Sequence, residues 1–252
     1  MRYNPVTGQM IWTSEGERII RGKDTVLGNP AITLISPQGN YIDSFHLPAN
    51  LLMRITEKGP RQNGVLEGMS FANGYKTLYV NVEEPLYEDG PRAGIADNNA
   101  WIRIYRFSVA TKKSVAQYAY KLDPVAYPPT PPGAFIVNGV PDILSIGNNQ
   151  LLVVERSFST GRLPCTIKIF LTDMNGATDI SGTLSLKEAP ATKPLSKKLL
   201  LNMDDLGIYV DNIEGITFGP NLSNGHRTLS LVADNNFVAV ERTQFFLFEI
   251  IP

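Results

Sequence analysis

The chain alternates short apolar runs with turn residues along almost its whole length. Thr77–Val82, Trp101–Phe107, Gln150–Val154, Thr166–Phe170 and Phe245–Ile250 each have the length and composition of a strand. In Trp101–Phe107, apolar and basic residues alternate with period two, which predicts a strand with one face in solvent. Asn73-Gly74, Gly147-Asn148-Asn149, Asn175-Gly176 and Asn224-Gly225 separate the runs, and these residues favour the positive φ of tight hairpins. Helical periodicity is scarce. Leu195–Leu201 alone hints at it, and the same stretch also reads as a strand. The pattern predicts an all-β protein.

One plan recurs. Glu67–Phe71, a turn and Thr77–Glu83 make the first clear copy. Asp142–Ile146 with Leu151–Glu155, and Glu214–Phe218 with Thr228–Asp234, repeat it. Each copy is an acid, an apolar strand, a turn, a second strand and a closing acid. A fourth copy opens the chain, running from Arg2 through Thr7-Gly8 to Met10–Glu15. The closing acids Glu15, Glu83, Glu155 and Asp234 fall about 70 residues apart. A further hairpin follows most copies, such as Pro30–Ser36 with Tyr41–Leu47 and Ile102–Val109 with Val115–Leu122. Four strands per unit repeated around an axis is the plan of a β-propeller. The units predict one domain over residues 1–252, divided near 1–60, 61–135, 136–205 and 206–252. The copy that opens the chain lacks an opening acid, and the copy that closes it lacks a fourth strand. A ring closed in the usual way then predicts an N-terminally incomplete propeller with further residues upstream. The long segments Glu84–Ala100 and Tyr127–Val140 are expected to cover one face.

Composition narrows the function. Among 252 residues, 23 Lys and Arg balance 24 Asp and Glu, without the basic surplus of a nucleic-acid binder. No apolar run is long enough to span a membrane, and the N-terminus is not a signal peptide. A single cysteine, Cys165, rules out an internal disulfide. With only His46 and His226 beside it, no zinc cluster can be assembled. Cys165 follows Pro164 at the start of a strand and reads as a buried structural thiol. There is no Gly-x-Ser-x-Gly elbow, P-loop or dinucleotide fingerprint.

Several segments together resemble the family described as esterase-like activity of phytase. They are Arg2–Gly8, Trp12–Gly16, Gly59–Asn63 ahead of Glu67, Asn81–Leu86, Val154–Arg156, Asp211–Phe218 and Leu231–Asn236. The resemblance runs from about residue 2 to 250. It implies a propeller-type domain with recurrent Glu and Asp, found in exported bacterial proteins, with phosphoester- or ester-hydrolysing activity. A periplasmic or extracellular location and a small-molecule phosphate or ester substrate are expected on that basis.

The recurring acids supply the candidate chemistry. One acid per blade converges on the axis of a propeller, and carboxylates mixed with Asn carbonyls and water provide the six to eight oxygens that Ca²⁺ takes. The closing set, Glu15, Glu83, Glu155 and Asp234 with Asn235, is the favoured calcium site. Glu67, Asp142 and Glu214 form a second acidic set, expected at the other end of the strands. Glu83 and Glu155 are the candidate general bases and Arg156 the candidate phosphate clamp, with Arg18 and Arg61 as further cations. The plainer alternative is that each acid caps a turn by accepting backbone N–H groups. The chain would then be a non-catalytic propeller that binds a ligand or a protein through its loop face. The sequence leaves the oligomeric state open.

Overall fold

The computed structural model describes residues 1–251, which form four small antiparallel sheets arranged as the blades of a β-propeller. The first blade contains β1 (Arg2–Asn4) and β2 (Gln9–Ser14). A separate hairpin, β3 (Glu17–Ile19) and β4 (Val26–Gly28), follows before β5 (Ala31–Ile35) and β6 (Tyr41–Ser44) complete the sheet in the order β1-β2-β5-β6. The second blade is β7 (Leu66–Ala72), β8 (Thr77–Val82), β9 (Trp101–Ser108) and β10 (Lys113–Lys121). The third is β11 (Ile136–Gly147), β12 (Gln150–Ser159), β13 (Thr166–Asp173) and β14 (Lys198–Asn202). The fourth has three strands, β15 (Ile213–Phe218), β16 (Thr228–Ala233) and β17 (Gln244–Glu249). Among the described residues the only helices are three short 3₁₀ turns, none long and apolar enough to cross a membrane.

The first strands of the blades meet around the axis. β11 touches both β7 and β15, and β1 touches β7. Blades stacked face to face bury their middle strands on both sides, so β8 is an unbroken buried run. One continuous core joins the first three blades through Ile32, Leu78, Val80, Ile104 and Ile143. A second joins the third and fourth through Val154, Ile167, Ile213 and Leu231.

At this level one open reading is decided and one expectation changes. Leu195–Leu201 resolves as strand, since residues 198–202 form β14. β9 is not half-exposed: Arg103, read as a solvent-facing base, is fully buried. It holds Asp89 through two hydrogen bonds of 2.6 and 2.8 Å and also donates to Gln117 (2.9 Å) and to the Thr183 carbonyl (2.9 Å). A buried guanidinium is tolerated because its donors are met by a carboxylate and by oxygens of the surrounding chain. The same network draws residues 178–195 along the outer edge of β10. There Ile180 donates to the Gln117 carbonyl and Leu195 to that of Ala119, each at 2.9 Å. The edge that would otherwise offer free backbone groups is thereby covered.

Candidate functional site

A cavity of about 740 Å³ opens at the end of the axis where the inner hairpins begin and end. Glu15, Glu67, Glu83, Glu84, Arg156 and Glu214 form its polar floor. Glu67 lies at the start of β7 and Glu83 one residue past β8. These strands are antiparallel, with Leu66 opposite Val82, so the opening and closing acids of one repeat come side by side. The expected separation of the two acidic sets to opposite strand ends therefore does not occur here. Glu15 reaches the same point from the end of β2 and accepts the Val65 N–H at 3.2 Å. Oxygens of Glu15, Glu67 and Glu83 lie within 4.8 Å of one another.

Three carboxyl groups this close cannot all carry full charge. Glu67 is pushed up to about 9, chiefly by burial, then by Glu83 and Glu15, and its carboxyl hydrogen-bonds to Glu15. Burial likewise pushes Glu83 up to about 7, against the opposing pull of Arg156. Arg156 is the counter-charge. Its guanidinium donates to Glu83 at 2.5 Å and to Glu214 at 3.2 Å, with Asn212 as a third acceptor. Burial raises Glu214 as well, offset by Arg156. Two glycines make the floor possible. A Cβ on Gly139 would stand 2.7 Å from Cγ of Glu83, and one on Gly64 would stand 2.8 Å from Oε2 of Glu84.

The remaining candidates lie elsewhere. Glu155 precedes Arg156, and side chains alternate along a strand, so the two point to opposite faces of β12. Glu155 accepts from the Tyr120 hydroxyl (2.8 Å), the Asp123 N–H (3.0 Å), Asn138 (2.8 Å) and Lys197, in a closed network between the second and third blades. Asp142 is buried, its pKa raised chiefly by that burial. It binds Arg2 at 2.9 and 2.6 Å and accepts the Ile216 N–H at 2.9 Å, tying three blades together. Asp234 is exposed just beyond β16, and Asn235 accepts the Phe237 N–H in the following turn. Arg18 donates to the carbonyls of Arg54 and Thr56 and stacks on Tyr87. Arg61 donates to the carbonyls of Pro85 and Gly90 and stacks on the same ring. Cys165 is buried on the cavity wall, its thiol pushed up to about 11 by burial.

The chemistry of this donor set suits a hard cation. The converging ligands are all oxygen, and a divalent ion between them would relieve the repulsion that one proton otherwise relieves. The glycine cradle under Glu83 and Glu84 holds both carboxylates at the floor. A family model described as phytase-like, esterase-like activity of phytase, matches residues 1–237 of this chain. No curated protein and no solved structure gives a significant match.

Proposed function

The chain belongs to the phytase-like family, and from that premise we propose that it is a cation-assisted hydrolase of phosphoric or carboxylic esters. The observation that carries this reading is the convergence of Glu15, Glu67 and Glu83 beside Arg156 in one cavity. Glu15, Glu67 and Glu83 would hold a divalent cation such as Ca²⁺. When bound, such an ion neutralises developing negative charge and makes water more acidic. Arg156, held by Glu83, Asn212 and Glu214, keeps its positive charge beside the cavity floor, where it favours the negative charge that builds on an ester oxygen in the transition state. Glu214 lies across Arg156 with its pKa raised, where it can act as general base. It takes a proton from water as the water oxygen bonds to the acyl carbon or phosphorus. The ester bond to the leaving oxygen breaks, and Glu214 returns the proton to the departing alkoxide.

The test is release of 4-nitrophenol from 4-nitrophenyl acetate and bis(4-nitrophenyl) phosphate, with Ca²⁺ or with EDTA. Hydrolysis of at least one substrate should depend on the cation. Glu214→Gln should cut it by about 100-fold or more while leaving Ca²⁺ affinity intact. Rates indifferent to EDTA, Glu214→Gln and Arg156→Gln would refute the assignment and favour a non-catalytic binding cavity.

A further inference from the structure

The inner hairpin of the third blade is longer than its counterparts. β11 has 12 residues and β12 has 10, against 7 and 6 in β7 and β8. The extra rungs, from Gly139 opposite Arg156 to Ile136 opposite Ser159, rise past the acidic floor. Alternation gives this extension two faces. Ser157 and Ser159 turn outward, where Ser157 accepts the Ala126 N–H (2.9 Å) and Ser159 donates to the Tyr127 carbonyl (2.6 Å). Arg156 and Phe158 turn inward, with Val137 opposite Phe158. Phe135 stacks near Phe158, their ring centroids 6.1 Å apart. Leu163 in the next turn and Val240 from the fourth blade complete an apolar wall.

This wall is not buried against other protein. Phe135, Leu163 and Val240 are 57%, 68% and 66% exposed, although loop tips are ordinarily polar. The rest of the lining argues against a polyanion. Seven acidic side chains face the cavity against two basic ones. Arg156 is already paired with Glu83 and Glu214, and Arg162 is drawn off onto the Tyr127 ring and the Pro164 carbonyl. One divalent cation would leave that lining negative.

We infer that the cavity takes esters with an aromatic or acyl arm and at most one negative charge, the arm lying against Phe135, Phe158, Leu163 and Val240. That the ligand is an ester rests on the hydrolase reading above; the apolar arm does not. The probes are two unreactive ethers, 4-nitrophenyl methyl ether and 4-nitrophenyl butyl ether, with inositol hexakisphosphate as the polyanion, titrated calorimetrically with Ca²⁺ present. A fully buried methylene is worth about fourfold in affinity, so the butyl ether should bind about tenfold or more tightly than the methyl ether. Leu163→Asp, on an exposed turn, should reduce that ratio to about twofold. Equal binding of the two ethers, no detectable binding of either, or tighter binding of inositol hexakisphosphate would overturn the inference. Hydrolysis of the matching 4-nitrophenyl esters separates the two readings. A chain-length gain in binding without hydrolysis keeps the apolar-arm site and sinks the hydrolase. Hydrolysis without a chain-length gain does the opposite.

Discussion

Replacing Glu67 by Gln keeps the shape of the buried carboxyl group and removes its proton chemistry. Glu67 titrates near 4.3 in the unfolded chain and at about 9 in the folded one. Between those values the native protein holds one proton that the unfolded chain has lost, so stability falls as pH rises. One proton corresponds to about 1.4 kcal/mol per pH unit, which accumulates to at most about 4 kcal/mol between pH 5 and pH 8. Glu83, pushed up to about 7, adds a fall of the same sign below that pH, but both proteins share it. The difference between the two curves therefore isolates Glu67. The assay is urea unfolding at pH 5, 6, 7 and 8 with EDTA present. Wild-type stability should drop faster with pH than that of Glu67→Gln, making the variant the more stable protein at pH 8. Ca²⁺ competes with the bound proton, so it should stabilise the wild type more at pH 8 than at pH 5 and have little effect on the variant. Parallel pH curves for the two proteins would refute the shared-proton reasoning.

Three further substitutions separate the site from its scaffold. Gly139→Ala places a Cβ 2.7 Å from Cγ of Glu83; it should cost about 1–3 kcal/mol in urea unfolding and weaken Ca²⁺ binding, although no acid is altered. Glu155→Gln should cost about 1–3 kcal/mol by weakening the Tyr120 and Lys197 network, while calorimetry finds Ca²⁺ affinity unchanged. Arg103→Met strands the buried Asp89 charge and should cost about 3–5 kcal/mol, with residues 178–195 losing amide-exchange protection.

The fold was legible because the repeat carries it. An acid, two apolar strands and a second acid recur often enough to name the blades, and turn residues mark their hairpins. The third blade was only partly legible. Tyr127–Val140 reads as a covering loop, yet residues 136–140 belong to β11, where a register shift between Gly139 and Asp142 absorbs Gly139 and Pro141. The pairing of Glu67 with Glu83 follows from an antiparallel hairpin alone, and the register was the signal that would have revealed it. Glu15 comes from another blade, a relation that no local pattern encodes. Glu155 stood beside Arg156 in sequence, and strand alternation sent the two apart. Arg103 looked like a surface base because its partner Asp89 sits in a loop without periodicity.

The central claim is that Glu15, Glu67 and Glu83 together hold a cation at the cavity floor. A crystal soaked in Mn²⁺ and measured at its absorption edge tests this most directly. The account predicts one strong anomalous peak within coordinating distance of all three carboxylates, absent from Glu67→Gln. Mn²⁺ bound only at other carboxylates, with none at these three, would contradict it.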